Sequence, residues 1–222
     1  MSFSKKFIKI AEPYIQEEIK KPFLLEMLNG VLPMEKFKYY MTVDYPYLFS
    51  FNKILALGIY KADDLETMKV MVRFLSGIIE EMTLHESYVE KFGISAKDLA
   101  TQEMGPVKYS YTRHELATGQ RGLLGELLAA LLPCTWGYGE IARRLIKKQP
   151  VKDDNPYKDW FDYYASEDFA SLGVECMSLI DRLVKDYSEA QKEQMEDSFL
   201  KSCYFEVVCW DAYYKMEDWQ IK

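Results

Sequence analysis

The chain has 222 residues, of which 49% are hydrophobic and 28% are charged. This composition excludes a disordered chain, because it supplies enough apolar surface for one sizeable core. The net charge of −7, without a long cluster of Lys and Arg, argues against binding to nucleic acid. No apolar run reaches the roughly 18 residues of a membrane span, and the charged N-terminus is unlike a secretory signal, so we expect a soluble cytoplasmic protein without membrane contact.

Proline and glycine are spaced as helix punctuation, and alternation of period two is hard to find, so the sequence predicts an all-α fold. We expect a first helix after Ser2, with Phe3, Phe7, Ile10 and Tyr14 on one stripe. The next helices are predicted over residues 22–30, 34–60 and 64–92.

Several turn residues mark the ends of these helices. Pro22 is expected to open the short helix and Gly30 to close it. Asp63 or Asp64 is available as the N-cap of the helix over 64–92, and Gly93 is expected to stop it.

The second half of the chain continues the helical pattern. Helices are predicted over residues 109–117 and 123–148. Two further helices are expected to begin after Asn155-Pro156 and after Ser166. The last helix is predicted to begin at a capping box, Ser188–Gln191, and to end at about Tyr214. A break is expected at 119–122. Because we find neither a repeat nor a linker, we predict a single domain over residues 1–222.

Cysteine and histidine counts limit the chemistry. The four cysteines form no C-x-x-C pair, so we expect reduced thiols and no zinc site. Neither His85 nor His114 has the E-x-x-H spacing of a di-iron bundle. A haem ligand is disfavoured too, because His85 lies in a polar stretch where we expect a solvated or salt-bridged imidazole. We therefore expect no metal and no cofactor.

Asp44 is the only charged residue in the aromatic segment YYMTVDYPYLFSF over residues 39–51. Tyr40 and Tyr47 share its helix face, and Pro46 is expected to kink the helix just beyond it. Two interpretations remain open. The carboxylate either accepts hydrogen bonds from a tyrosine and the freed backbone, or it serves a binding site.

Two further reactive groups lie in apolar helical segments. Cys134 and Tyr138 are one turn apart in LLPCTWGYGE, where proline and glycine loosen the helix; the thiol is either a packed small hydrophobe or a nucleophile. Glu206 lies among apolar residues one turn from Trp210. It is either paired with an Arg or a hydroxyl group, or a proton donor whose pKa is raised by burial.

These segments, in this order, resemble the TenA family of thiaminase II or aminopyrimidine aminohydrolases. The resemblance covers essentially the whole chain, and the L-P-C-x-W-x-Y-x-E-I block is specific to the cysteine-containing branch. It is carried by LPMEKFKYYMTVDYPYL (32–48), IIEEMTLHESY (78–88), YSYTRHEL (109–116), LLAALLPCTWGYGEIARRL (127–145), PYKDWFDYYASEDF (156–169) and CYFEVVCWDAYY (203–214).

The resemblance implies a haem-oxygenase-like fold and roles for seven residues. Cys134 would be the nucleophile, Glu206 the proton donor to the pyrimidine, and Tyr47 would raise the reactivity of the thiol. Substrate contacts would come from Asp44, which would clamp the amino or ring nitrogens, and from Tyr111, Tyr138 and Tyr164, with Tyr163 as the alternative register for Tyr164.

The function implied by the resemblance is hydrolysis of 4-amino-5-aminomethyl-2-methylpyrimidine, and less efficiently of thiamine, in thiamine salvage. Family habit also implies a homotetramer. The alternative is a non-catalytic pyrimidine- or thiamine-binding regulatory protein on the same fold. Cys134 argues for the enzyme, because loss of the thiol would mark the idle protein.

Overall fold

The computed structural model of the chain describes residues 2–91, 93–99 and 101–220. These residues form ten α-helices and a 3-10 helix, and none of them lies in a strand, so the all-α prediction is confirmed. The helices are α1 (Phe3–Glu18), α2 (Pro22–Leu28), α3 (Met34–Tyr60), α4 (Leu65–Glu90), α5 (Ala96–Leu99), α6 (Pro106–Arg121), α7 (Leu124–Lys148), α8 (Lys158–Ala165), α9 (Glu167–Leu183), the 3-10 helix (Val184–Asp186) and α10 (Glu189–Lys215).

The chain is organised as two compact units. The first unit comprises Met1–Leu32 and Gly125–Asp211, and the second comprises Pro33–Leu124 and Ala212–Lys222. A single domain over residues 1–222 stays a prediction. Among the described residues, no helix has both the length and the apolar character needed to cross a membrane.

In the first unit, α1 and α8 pack against α9, and the ring of Phe7 stacks on Phe199 of α10 at 4.4 Å between centroids. The buried stripe of α1 consists of Ser4, Phe7, Ala11, Ile15 and Glu18. Of the predicted stripe, Phe7 is fully buried, and Phe3, Ile10 and Tyr14 are half-buried.

Two polar residues on the buried stripe of α1 have partners elsewhere in the first unit. The Ser4 backbone N–H and hydroxyl donate to the Asp181 carboxylate at 2.8 and 2.7 Å. The Trp210 indole donates to Glu18. Partners of this kind satisfy buried polar groups, but they are invisible to helical periodicity.

In the second unit, α3 packs against α4 and α6. The bounds of α3 agree with the prediction, and the helix continues through Pro46. Asp64 is the N-cap of α4, where its side chain accepts a hydrogen bond from the Thr67 N–H at 2.8 Å. The helix ends at Glu90, before Gly93 with its positive φ of 76°. Phe92, the predicted last residue, lies outside the described residues.

Two predicted helix boundaries were wrong. Helix α6 begins at Pro106 and continues through Gly119 to Arg121, because proline is compatible with the first helical position and one interior glycine costs only about 1 kcal/mol. Helix α8 begins at Lys158 and not directly after Asn155. The Asn155 amide N–H groups donate to the Met27 and Leu28 carbonyls at 3.1 and 3.0 Å, and its Oδ1 accepts from the Tyr157 N–H at 2.8 Å.

The remaining predicted caps are confirmed. Ser166 accepts a hydrogen bond from the Phe169 N–H at 3.1 Å. Ser188 and Gln191 form the reciprocal capping box at the start of α10. Gly30 follows α2 with a positive φ of 72°.

Candidate active site

Asp44 is the centre of a buried ionic cluster in the second unit. Its Oδ1 lies 2.9 Å from the Lys108 Nζ, and its Oδ2 lies 3.3 Å from the His85 Nε2. The Tyr213 hydroxyl donates to Oδ1 at 3.4 Å. Burial alone would raise the pKa of Asp44, but the Lys108 ammonium and the hydrogen bond with His85 outweigh it and lower the pKa to about 2. Asp44 is therefore an ionised carboxylate inside an aromatic region.

The His85 imidazole is held between two acceptors. Its Nδ1 lies 3.1 Å from the Glu81 carbonyl oxygen, which can only accept a hydrogen bond, while its Nε2 faces Asp44. Burial lowers the pKa of His85, yet the hydrogen bond and charge of Asp44 raise it above the ordinary value. The imidazolium form fits both contacts. The salt-bridged alternative was thus correct and the solvated one wrong, since His85 is buried.

Lys108 lies in a cage of tyrosine rings. Its ammonium is 3.6 Å from the centroid of Tyr47, and the rings of Tyr213 and Tyr111 are 5.6 and 5.7 Å away. The rings of Tyr47 and Tyr111 stack on each other, and the Tyr47 hydroxyl donates to the Glu115 Oε1 at 3.0 Å. The second unit therefore brings together three predicted site residues, Asp44, Tyr47 and Tyr111.

The first unit holds a second buried acidic group. The Trp210 indole N–H donates to the Glu18 Oε2 at 2.8 Å, and Glu206 lies one turn before Trp210 on α10. Burial, followed by the nearby Glu206 carboxylate, raises the pKa of Glu18 well above its usual range. Glu18 and Glu206 thus form a pair in which a proton is retained at pH values where exposed glutamates have lost theirs.

An aromatic cluster lies in the same unit. Tyr138 packs against Tyr164 at 5.0 Å and against Trp210 at 5.3 Å between ring centroids, and Trp160 adjoins Tyr164 at 4.7 Å. Tyr163 is half-buried and contacts Tyr164. These flat side chains suit the faces of a heterocycle, and the site role of Tyr164, with Tyr163 as its alternative, stays a prediction.

Cys134 lies one turn before Tyr138 on α7 and is half-buried, whereas the other three cysteines are buried. All four are free thiols, as predicted. Burial raises the pKa of Cys176 to about 12, and burial together with Glu18 and Glu206 raises the pKa of Cys203. Since the thiolate is the reactive form, these two buried thiols are poor nucleophiles.

Four members of these clusters are not among the residues predicted from the sequence for the site: Glu18, His85, Lys108 and Glu115. A signal existed for three of them. Glu18 continues the buried spacing of α1, and Lys108 and Glu115 are seven residues apart on the face of α6 that also carries Tyr111. That face is buried without a single aliphatic side chain, and its members are Lys108, Tyr111, Thr112, Glu115, Thr118 and Gly119.

Comparisons with known proteins identify relatives of this chain. The model of the TENA/THI-4/PQQC family matches residues 8–216. An aminopyrimidine aminohydrolase of Halalkalibacterium halodurans is 35% identical over 221 residues, covering 99% of this chain and 98% of the relative. The enzyme of the same name from Bacillus subtilis is 32% identical and covers 99% of this chain and 92% of the relative.

Solved structures show the same fold. A TenA family transcription regulator from a Silicibacter species superposes with a TM-score of 0.86 at 29% identity, covering 95% of both chains. A domain from Shewanella denitrificans described as having a heme oxygenase-like fold superposes with a TM-score of 0.77 at 16% identity, covering 97% of this chain and 93% of the other. The haem-oxygenase-like fold implied by the sequence is therefore confirmed.

Proposed function

This chain belongs to the TENA/THI-4/PQQC family, and from that premise we propose that it is an aminopyrimidine aminohydrolase of the thiaminase II type. The proposed substrate is 4-amino-5-aminomethyl-2-methylpyrimidine, with thiamine hydrolysed less efficiently, and the proposed role is thiamine salvage in the cytoplasm. The single observation that carries the proposal is the buried, ionised Asp44 beside Tyr47 and Tyr111, because it offers a hydrogen-bond acceptor and aromatic faces to an aminopyrimidine.

The proposed reaction begins with the Cys134 thiolate. Its sulfur forms a bond to the ring carbon next to the one that bears the aminomethyl group, and Glu206 gives a proton to a ring nitrogen. The amine then leaves the methylene carbon and takes up a proton to become ammonia. Water adds to the methylene and releases a proton, which balances the one taken up by the amine. The carbon–sulfur bond then breaks, and Glu206 recovers its proton from the ring nitrogen. The net change is exchange of an amino group for a hydroxyl group.

The other roles follow the family resemblance. Asp44 binds the amino group or ring nitrogens of the pyrimidine, and Tyr111, Tyr138 and Tyr164 contact the substrate. Tyr47 raises the reactivity of Cys134. Support comes from burial: all of these residues except Cys134 are at most 4% exposed, so polar contacts to a bound ring would form away from water.

A second candidate function is a non-catalytic pyrimidine- or thiamine-binding regulator. It is favoured by one specific observation, the description of the Silicibacter relative as a transcription regulator. The presence of Cys134 on the same helix as Tyr138 favours the hydrolase instead.

We also propose that the chain assembles into a homotetramer. Helix α4 supports assembly, because Leu65, Met68, Val72 and Ile79 form an exposed apolar stripe at spacings of three, four and seven residues. A second copy of this chain is the occupant we assign to this stripe.

The proposed function is tested by measuring the release of 4-amino-5-hydroxymethyl-2-methylpyrimidine by the purified protein. The aminomethyl pyrimidine and thiamine are supplied in parallel at equal concentrations. We expect product from both, with a higher kcat/KM for the aminomethyl compound. Saturable binding of the pyrimidine without product from either compound would overturn the hydrolase and favour the regulator.

A further inference from the structure

Lys108 is a buried cation that the proposed reaction does not use. Only 3% of its surface is exposed, and its ammonium contacts Asp44 Oδ1 at 2.9 Å and the face of Tyr47 at 3.6 Å. Both partners are residues to which the proposed function gives a role. One ammonium therefore fixes two groups of the proposed site at the same time.

Lys108 shares the Asp44 carboxylate with His85. His85 already places a cation on Asp44, so the single carboxylate carries two cationic neighbours. Desolvation of an ammonium is costly, and the cost is repaid only where the geometry and the additional contacts are good. Lys108 also lies in the first turn of α6, where the helix macrodipole disfavours a positive charge.

The tyrosine cage supplies the additional contacts. A cation over an aromatic face is attracted by the ring quadrupole, and the attraction grows when the ammonium is removed from water. Here the Tyr47 ring is the nearest; it also packs against the Tyr111 ring at 5.7 Å between centroids, and its hydroxyl donates to Glu115. The ammonium thus limits the movement of the Tyr47 ring as well as that of the Asp44 carboxylate.

We propose that Lys108 is a positioning residue, whose ammonium holds the Asp44 carboxylate and the Tyr47 ring in the arrangement that receives the aminopyrimidine. This inference rests on the proposed function. Because Asp44 Oδ1 accepts from Lys108 and Tyr213 while Oδ2 faces His85, the carboxylate has a fixed orientation before substrate arrives. Loss of the ammonium releases that orientation, so substrate binding is weakened more than the chemical step.

The test compares wild type with Lys108→Ala and Lys108→Met, and uses Lys69→Ala, an exposed lysine of the same unit, as the matched control. Steady-state kinetics give KM and kcat for the aminomethyl pyrimidine. Calorimetry gives the Kd of the hydroxymethyl product, which needs no turnover. Ethylammonium chloride is added to each variant to replace the missing ammonium, with sodium chloride at equal ionic strength as the reference.

For Lys108→Met we expect KM and Kd to rise by at least about tenfold while kcat changes by less than about threefold. For Lys108→Ala we expect the same loss, with a several-fold, saturable recovery in ethylammonium. Lys69→Ala should match wild type in every measurement. Circular dichroism confirms that the proteins compared are folded, and Lys108→Met, which keeps the length of the side chain, covers the case in which Lys108→Ala is unfolded.

Folded Lys108 variants with KM and Kd within twofold of wild type would overturn the inference. So would a fall in kcat at unchanged KM and Kd. A wild-type protein that binds the product without hydrolysing either substrate would contradict the proposed function alone, and the Kd values would still decide the role of Lys108. A wild-type protein without pyrimidine binding would contradict both.

Discussion

Glu18 and Glu206 carry two carboxyl groups into the interior of the first unit. The folded protein holds a proton on Glu18 at pH values where the unfolded chain, with a carboxyl pKa of 4.5, has released it. Since the native state then binds more protons than the unfolded state, the free energy of unfolding falls as the pH rises from 4.5 towards the raised pKa of Glu18. One retained proton corresponds to about 1.4 kcal/mol per pH unit.

We predict that Glu18→Gln flattens this dependence, because the amide stays neutral and can still accept the Trp210 hydrogen bond. The variant should gain stability relative to wild type as the pH rises above 5. Urea unfolding at several pH values measures the effect, and Glu17→Gln on the exposed side of α1 is the control. Parallel curves for wild type and Glu18→Gln would contradict the raised pKa of Glu18.

The contribution of Asp44 to the free energy of unfolding has the opposite dependence on pH. Asp44→Asn removes the carboxylate that faces Lys108 and His85, and an uncompensated buried charge costs about 3–5 kcal/mol. We expect a loss of that order in the free energy of unfolding at pH 7, with no comparable loss for the exposed Asp63→Asn. In wild type, the contribution of Asp44 is present above its unfolded pKa of 3.8 and is lost as the pH falls through about 2. A loss below about 1 kcal/mol for Asp44→Asn would show that the ion cluster adds little stability.

At the scale of residues, the sequence predicted the unusual groups but not their partners. Asp44 and Glu206 were identifiable because a lone carboxylate among apolar side chains is unusual. His85 was not, because it lies in a locally polar segment whose burial is decided by packing between helices. Spacing along one helix carries no information about which residue of another helix completes an ion pair.

At the scale of elements, alanine substitutions of one glycine in the turn after α2 and of one glycine inside α7 should change stability in opposite directions. Gly30 has a φ of 72°, and a Cβ there would lie 3.4 Å from the Asn155 side chain. Gly30→Ala should therefore destabilise the protein by about 1 kcal/mol or more. Gly137 lies inside α7, and a Cβ there would meet only Ile15, at 3.9 Å.

Gly137→Ala is the matched substitution, and its effect on the free energy of unfolding should have the opposite sign. It should stabilise the protein by up to about 1 kcal/mol. Thermal unfolding of the two variants beside wild type checks both values. Equal effects of the two substitutions would contradict the assignment of a left-handed turn at Gly30.

Helix ends were predictable where the cap is local. The Asp64, Ser166 and Ser188 caps use residues within three positions of each other, so their signals are complete in the sequence. Asn155 has the same composition signal, and its Oδ1 accepts from the Tyr157 N–H, while its amide N–H groups donate to the carbonyls that end α2, more than 120 residues away in the chain. The residues that follow Asn155 form a turn, and α8 begins only at Lys158.

At the scale of the whole molecule, the exposed stripe on α4 predicts assembly. Light scattering with size-exclusion chromatography should give about four times the chain mass of 26.1 kDa at micromolar concentration. The double variant Val72→Lys, Ile79→Lys should reduce this mass, because it places two ammonium groups in the apolar contact. Val174→Lys, an exposed valine of the first unit, should not. A wild-type monomer, or equal dissociation of both variants, would contradict the stripe as the contact.

We propose that Cys134 is the nucleophile of an aminopyrimidine hydrolase. The most direct measurement is the single-turnover release of hydroxymethylpyrimidine by Cys134→Ser beside wild type and Cys176→Ala, whose thiol is buried and has a pKa raised to about 12. We predict that Cys134→Ser loses at least about 1000-fold in rate while its Kd for the pyrimidine stays within a few-fold, and that Cys176→Ala retains the wild-type rate. A Cys134→Ser protein that releases product at the wild-type rate would contradict the role of Cys134 as nucleophile.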